Sequence, residues 1–259
     1  MSPGPDPASD MAGRTALVTG GGTGIGRVIT EHLVRHGVRV VVAGRRAEPL
    51  VALQEAHPGQ VRAEVCDVAD VQAVDDLSHR LADEEISVLV NNAGIGGPVS
   101  HLVDIDPREW DEVMAVNVRG VFLACRAFLP PMIARGRGDV VNLASVTGKR
   151  PLEGRTPYCA SKMAVLGLTS TLAFEVGPRG VRVNALSPGP VEGERMDRNF
   201  RLEAERVGGS EEEARKRFVD RAASRRMVTQ DEVAGAVVAI LRLTGLNGAD
   251  VDLSAGMIA

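Results

Sequence analysis

The chain has 259 residues, 44% of them apolar and 25% charged, with a formal net charge of −4. That length is ample for a sizeable core, and mild acidity with dispersed basic residues argues against a nucleic-acid or anionic-membrane partner. Cys66, Cys125 and Cys159 are odd in number and far apart, which excludes a disulfide framework and a zinc-ligand pattern and points to a reducing, intracellular setting.

Residues 1–12, MSPGPDPASDMA, are Pro-rich, lack the apolar core of a signal peptide and read as a loose tail. Strands are predicted at 15–20, 38–44, 61–68, 86–92, 139–145, 181–187 and 249–255. Helix-like segments lie between them near 25–37, 46–56, 70–84, 107–133, 160–177 and 231–243. Near-continuous apolar strands separated by helices indicate an α/β fold. The expected form is a doubly wound, Rossmann-type, mostly parallel sheet of about seven strands, in a single domain over 13–259. The charge-rich stretch 190–228 breaks the rhythm and reads as one or two helices inserted beside the ligand site. No uninterrupted apolar run approaches the roughly 18 residues of a membrane span, so a cytoplasmic protein is expected.

The first strand runs into TALVTGGGTGIG, which places Gly20, Gly21, Gly22, Gly24 and Gly26 ahead of a helix. Glycines let the backbone turn sharply and approach a pyrophosphate, and the helix N-terminus adds free N–H groups and partial positive charge. The string G-x-G-x-x-G fits in no register. What fits is T-G-x-x-x-G-I-G, through Thr19, Gly20, Gly24, Ile25 and Gly26, with Gly22 and Thr23 inside it.

A second signal is TPYCASK. It holds the chain's one tyrosine, Tyr158, and, four positions on, Lys162, one of three lysines among 30 basic residues. Residues four apart share a helix face. A tyrosine of ordinary pKa is a poor base at neutral pH, but a neighbouring ammonium favours the phenolate and brings the pKa toward the working range. Lysine serves there as a compact point charge that arginine's planar fork would not replace. Ser145 closes the fifth strand, thirteen positions before Tyr158.

With these motifs the chain resembles the short-chain dehydrogenase/reductase family, from about residue 13 to the C-terminus. The resemblance extends to Asp67 and Val68 as an adenine-contacting pair, and to Asn91, Asn92, Ala93 and Gly94 as an N-N-A-G motif bordering the cofactor. It also covers Asn117 as a catalytic-site asparagine, and Pro188 and Gly189, with Val191 beyond them, beside the nicotinamide. It implies hydride transfer between a nicotinamide cofactor and the carbonyl or alcohol carbon of a small molecule, with no metal. Tyr158 would move the proton, Ser145 would hold the reacting oxygen, and Lys162 would tune Tyr158 and hold the ribose. Asn117 would help hold a relay water. His32, His36, His57, His79 and His101 show no ligand spacing.

The second strand ends VVVAGRR, where Gly44 stands in the place of a ribose-binding acid and Arg45 and Arg46 follow. A carboxylate repels a 2′-phosphate and guanidinium groups pair with it, so NADP(H) is expected in preference to NAD(H), which stays open. The loops expected to border the substrate carry Lys149, Arg150, Arg155, Arg195 and Arg198, which allows an anionic substrate. Arg155, three residues before Tyr158, is the best single candidate for that contact, with Arg195 and Ser145 beside it. Cys159 reads as a packing residue. Two further readings stay open: 3-oxoacyl-[acyl-carrier-protein] reduction, and a non-catalytic cofactor-binding regulator. The resemblance implies a homotetramer built through segments 107–133 and 160–177 and the last strand.

Overall fold

The computed structural model describes residues 11–257. Seven strands form one all-parallel sheet: β1 (Thr15–Thr19), β2 (Arg39–Gly44), β3 (Val61–Val65), β4 (Ile86–Asn91), β5 (Gly138–Leu143), β6 (Val181–Pro188) and β7 (Asp250–Leu253). Their order is β3-β2-β1-β4-β5-β6-β7. The chain moves outward from β1 to β3, then returns to lay β4 on the other side of β1, with Thr19 opposite Asn91. That reversal opens a crevice at the carboxyl ends of β1 and β4, where this class of fold binds ligands.

Alternation along the strands distributes the core. Val18, Val40, Val42, Val88 and Val90 face one side, against Ile29 and Leu33 of α1 (Gly24–Arg35) and Leu50 and Leu53 of α2 (Ala47–Ala56). Leu17, Val41, Leu89 and Val140 face the other, against Val74 and Leu77 of α3 (Val71–Arg80). Because both faces are covered, every residue of β1, β4 and β5 is buried, and the middle of each strand is apolar on both faces.

The predicted helix at 107–133 is interrupted. It consists of α4 (Pro107–Met114), a π turn over Ala115–Arg119 and α5 (Gly120–Arg135). Asp106 and Glu109 form a capping box at the start of α4. The next helix, α6 (Thr156–Val176), begins four residues earlier than the predicted 160. Pro157 suits the first turn, since it has no N–H to leave unpaired and its φ is already helical. The insertion holds two helices, α7 (Glu194–Val207) and α8 (Glu211–Val219), pinned by Met196, Phe200, Ala214 and Met227. Phe200 and Phe218 meet edge to face at 5.5 Å. After it, α9 (Gln230–Arg242) packs on the α1 side of the sheet.

Residues 1–10 of the expected tail lie outside the described residues. Met11 does not belong to a loose tail: it is buried in the core, and its carbonyl accepts from the Arg14 N–H at 3.2 Å. Segments Pro107–Arg135 and Thr156–Arg179 are each long and apolar enough to cross a membrane by length and composition, which residue-by-residue reading of the sequence did not anticipate. Both pack on the sheet through Leu123, Phe128, Val165 and Ala173.

Candidate active site

A cleft of about 1160 Å³ lies over the carboxyl ends of the strands, and its wall gathers most of the sequence-predicted positions from seven separate segments. At one end is the glycine turn. Gly20 and Gly24 have φ of +65° and +52°, a region that favours glycine. A side chain at Gly26 would place its Cβ 2.2 Å from the Gly20 carbonyl oxygen and 2.5 Å from Asn92 Nδ2, so only glycine lets the turn close against β4. Asn92 Nδ2 donates to the carbonyls of Thr19 (3.0 Å) and Gly20 (3.1 Å), and the Thr19 hydroxyl accepts from the N–H groups of Asn92 and Ala93. The turn is thus tied to β4 by side chains and to β2 by backbone, the Gly20 and Gly21 N–H groups donating to the Ala43 carbonyl at 2.7 and 3.3 Å.

No side chain caps the N-terminus of α1, and no acid stands in its first turn. Exposed N–H groups and the helix dipole there suit a phosphate. Farther along the wall, Gly44 ends β2, and Arg45 and Arg46 stand exposed at the rim with no carboxylate paired to either among the described residues. Asp67 and Val68 line the cleft beside them; Asp67 accepts from the Ala69 N–H at 3.0 Å. Ile25, Ala93, Gly94, Pro188, Gly189 and Val191 complete this half. The donors, the close approach allowed by glycine and the free guanidinium groups fit a nicotinamide dinucleotide.

In the middle of the cleft stand Ser145, Tyr158 and Lys162. With α6 starting at Thr156, Tyr158 and Lys162 are one turn apart on the same helix, and Lys162 Nζ lies 5.7 Å from the Tyr158 ring centre. Lys162 is buried and donates to the Leu143 carbonyl at 2.6 Å. Burial pushes the Tyr158 phenol up, but Lys162, Arg195, a hydrogen bond with Ser145 and Arg155 together hold it below the ordinary tyrosine value. Lys162 in turn is lowered, by burial first and by Arg195, against the pull of Tyr158. Ser145 is fixed by Thr147, whose N–H and hydroxyl both donate to Ser145 Oγ, at 3.3 and 2.9 Å.

Asn117 sits in the π turn and is almost wholly buried behind the wall. Its side chain pairs with the backbone of Ile95, accepting from N at 2.8 Å and donating to O at 2.9 Å, and donates to Ser161 Oγ at 3.0 Å. A π turn widens a helix by one residue per turn, and here it brings this amide against the loop after β4.

The substrate-side cations separate into two groups. Arg155 and Arg195 line the cleft near Tyr158. Lys149 and Arg198 do not line it. Lys149 is drawn to the β7 carboxylates Asp250 (2.6 Å) and Asp252, and Arg198 is exposed to solvent outside the lining. Arg150 reaches the cleft but donates to the carbonyls of Arg221 and Met257. Cys159 is half-buried and free, and burial raises its thiol. Residues not singled out from the sequence are Thr147, Ser161 and Asn199. Thr147, two positions after Ser145, carried a readable signal; Asn199, in the charged insertion, carried none.

Comparison with known proteins follows the same lines. A family model described as short chain dehydrogenase matches residues 14–204. D-threitol dehydrogenase of Mycolicibacterium smegmatis is 34% identical over 253 residues, covering 95% of this chain and 93% of its own. Among solved structures, a single-substitution variant of actinorhodin polyketide ketoreductase with NADPH superposes with a TM-score of 0.89 at 31% identity, over 94% of this chain and 97% of that one. An NAD+-bound xylitol dehydrogenase does so with a TM-score of 0.87 at 29% identity, over 94% and 98%.

Proposed function

Since the chain belongs to the short-chain dehydrogenase family and is an oxidoreductase dependent on a nicotinamide cofactor, we propose how its own residues divide the work. When bound, the nicotinamide supplies or accepts the hydride. Tyr158 gives a proton to the carbonyl oxygen in reduction and takes it from the alcohol in oxidation. Ser145, held by Thr147, donates a hydrogen bond to that oxygen and stabilises its developing charge. Lys162 favours the phenolate of Tyr158 and holds the ribose. Asn117, anchored to Ile95 and Ser161, fixes the loop after β4 and the start of a proton path to solvent.

The observation that carries this reading is the cationic surrounding of the half-buried Tyr158, which holds its pKa below the ordinary tyrosine value. Tyr158→Phe tests it. Turnover is expected to fall by about 10²–10⁴-fold, the range for losing a general acid/base, while cofactor affinity stays near that of the parent. Near-normal turnover in that variant would remove Tyr158 from its role.

For the cofactor we favour NADP(H). Gly44 leaves no acid to repel a 2′-phosphate, and Arg45 and Arg46 are exposed at the rim without carboxylate partners. We favour a small free substrate over one tethered to a carrier protein, because the cations nearest Tyr158 lie inside the cleft. A regulator without activity is disfavoured by the complete set Asn117, Ser145, Tyr158 and Lys162. We also propose a homotetramer, assembled through the outer faces of α5 and α6.

A further inference from the structure

The substrate end of the cleft holds a guanidinium, Arg155, that no described residue balances. Arg155 is only 6% exposed. Its Nη1 donates to Asn199 Oδ1 and its Nη2 to the Gly96 carbonyl, both at 3.0 Å, and both acceptors are neutral. Its Nε is buried and has no hydrogen-bond partner. Among the described residues no carboxylate forms an ion pair with it. Of the acids in the same wall, Glu153 and Glu203 are both engaged by Arg206, at 3.1 and 3.0 Å.

Arg195 also lines the cleft but is exposed to solvent; it donates to the Gly94 carbonyl at 2.6 Å and has no acid partner among the described residues. Both guanidinium groups act on Tyr158, and the Arg155 fork lies 5.4 Å from the Tyr158 ring centre. A charge taken out of water is costly unless it is paired, and buried arginines ordinarily have a counterion. Among the described residues the buried Arg155 has no such counterion, and it lies beside the group that would handle the substrate's oxygen.

We infer that Arg155 and Arg195 form an anion subsite, and that the substrate is a short hydroxy or keto compound bearing an oxyanion head group. The planar fork suits a carboxylate or sulfonate, whose negative charge balances the guanidinium. The shortness follows from the closeness of Arg155 to Tyr158: the head group and the reacting carbon are separated by a few bonds. This rests on the oxidoreductase reading for the identity of the reacting carbon. The anion subsite itself does not.

The test therefore begins with binding. Calorimetric titration of the cofactor-loaded enzyme with butyrate, propanesulfonate and the uncharged butyramide is expected to favour the anions by about 10- to 100-fold, the worth of a charge-assisted hydrogen-bonded pair. The two anions separate a carboxylate from a sulfonate preference. In Arg155→Met the preference should collapse, and Arg155→Lys should restore part of it. Asn199→Asp provides a second route that leaves Arg155 in place: a fixed carboxylate would occupy the fork and compete with the ligand, so the preference should again be lost. Equal binding of butyramide, or an anion preference that survives both Arg155→Met and Asn199→Asp, overturns the inference.

Turnover of 3-hydroxybutyrate against 3-hydroxybutyramide then separates the two claims. Selective anion binding without any redox turnover sinks the assigned chemistry and leaves the subsite standing. Turnover of the amide as fast as the acid does the reverse.

Discussion

Tyr158 is acted on by Lys162, Arg195 and Arg155, and no acid is among the groups that shift it. The consequence for pH follows from sign alone. Oxidation needs the phenolate, so its kcat/KM rises as pH climbs through the lowered pKa and then levels. Reduction needs the phenol, so its kcat/KM falls through the same region. Removing a cation weakens the lowering: Arg195→Gln is expected to move both limbs to higher pH, measured as kcat/KM profiles in the two directions. Limbs that stay fixed would show that Arg195 exerts no field on the phenol. Arg45 and Arg46 offer a second single-residue test. The double alanine variant should raise KM for NADP(H) by about 10- to 100-fold, the cost of losing charge-assisted contacts to a phosphate, with a far smaller change for NAD(H) in parallel kinetics. Equal effects on both cofactors would detach those arginines from the 2′-phosphate.

The site's precision comes from how elements are tied, and the glycine turn is the sharpest case. Gly26 faces the Gly20 carbonyl so closely that one methyl group forces the turn off β4, breaking the Asn92 contacts with it. Gly26→Ala is expected to cost about 1–3 kcal/mol, as overpacking typically does, and to weaken cofactor binding by more than it lowers thermal stability. Denaturant midpoints and cofactor titrations on the same variant would check both. This is also where sequence reasoning reached furthest. A tight turn demands glycine at fixed spacing, and a helix repeat carries Tyr158 onto Lys162, so both were legible. The π turn at Ala115–Arg119 was not, because AVNVR has no composition that distinguishes a widened turn from an ordinary one. Its cause is tertiary: the Asn117 amide is captured by the Ile95 backbone across 22 residues of sequence. Asn199 was illegible for the same reason, since only folding places the middle of a charged helix against Arg155.

At the scale of the molecule, the two long helical segments apolar enough for a membrane lie on the sheet instead, and this leaves their outer faces to be explained. The sheet takes up Leu123, Phe128, Val165 and Ala173, but Phe122 on α5 is half exposed and Met163 nearly so. Phe174, on α6, is 89% exposed. The chain has only five phenylalanines, so placing two of them outward on neighbouring helices is costly for a monomer in water. Copies of the chain meeting through these faces would bury that surface, and symmetric closure of such contacts gives dimers and tetramers. Light scattering after size exclusion should therefore find about four times the 27.3 kDa chain mass. Phe174→Glu puts a charge into the proposed contact and should yield smaller species. Because Phe174 stands clear of the cleft, their cofactor affinity should stay close to the parent's. A monomeric parent protein, or a variant that keeps the parent mass, would detach these helices from assembly and leave their exposed rings as surface features alone.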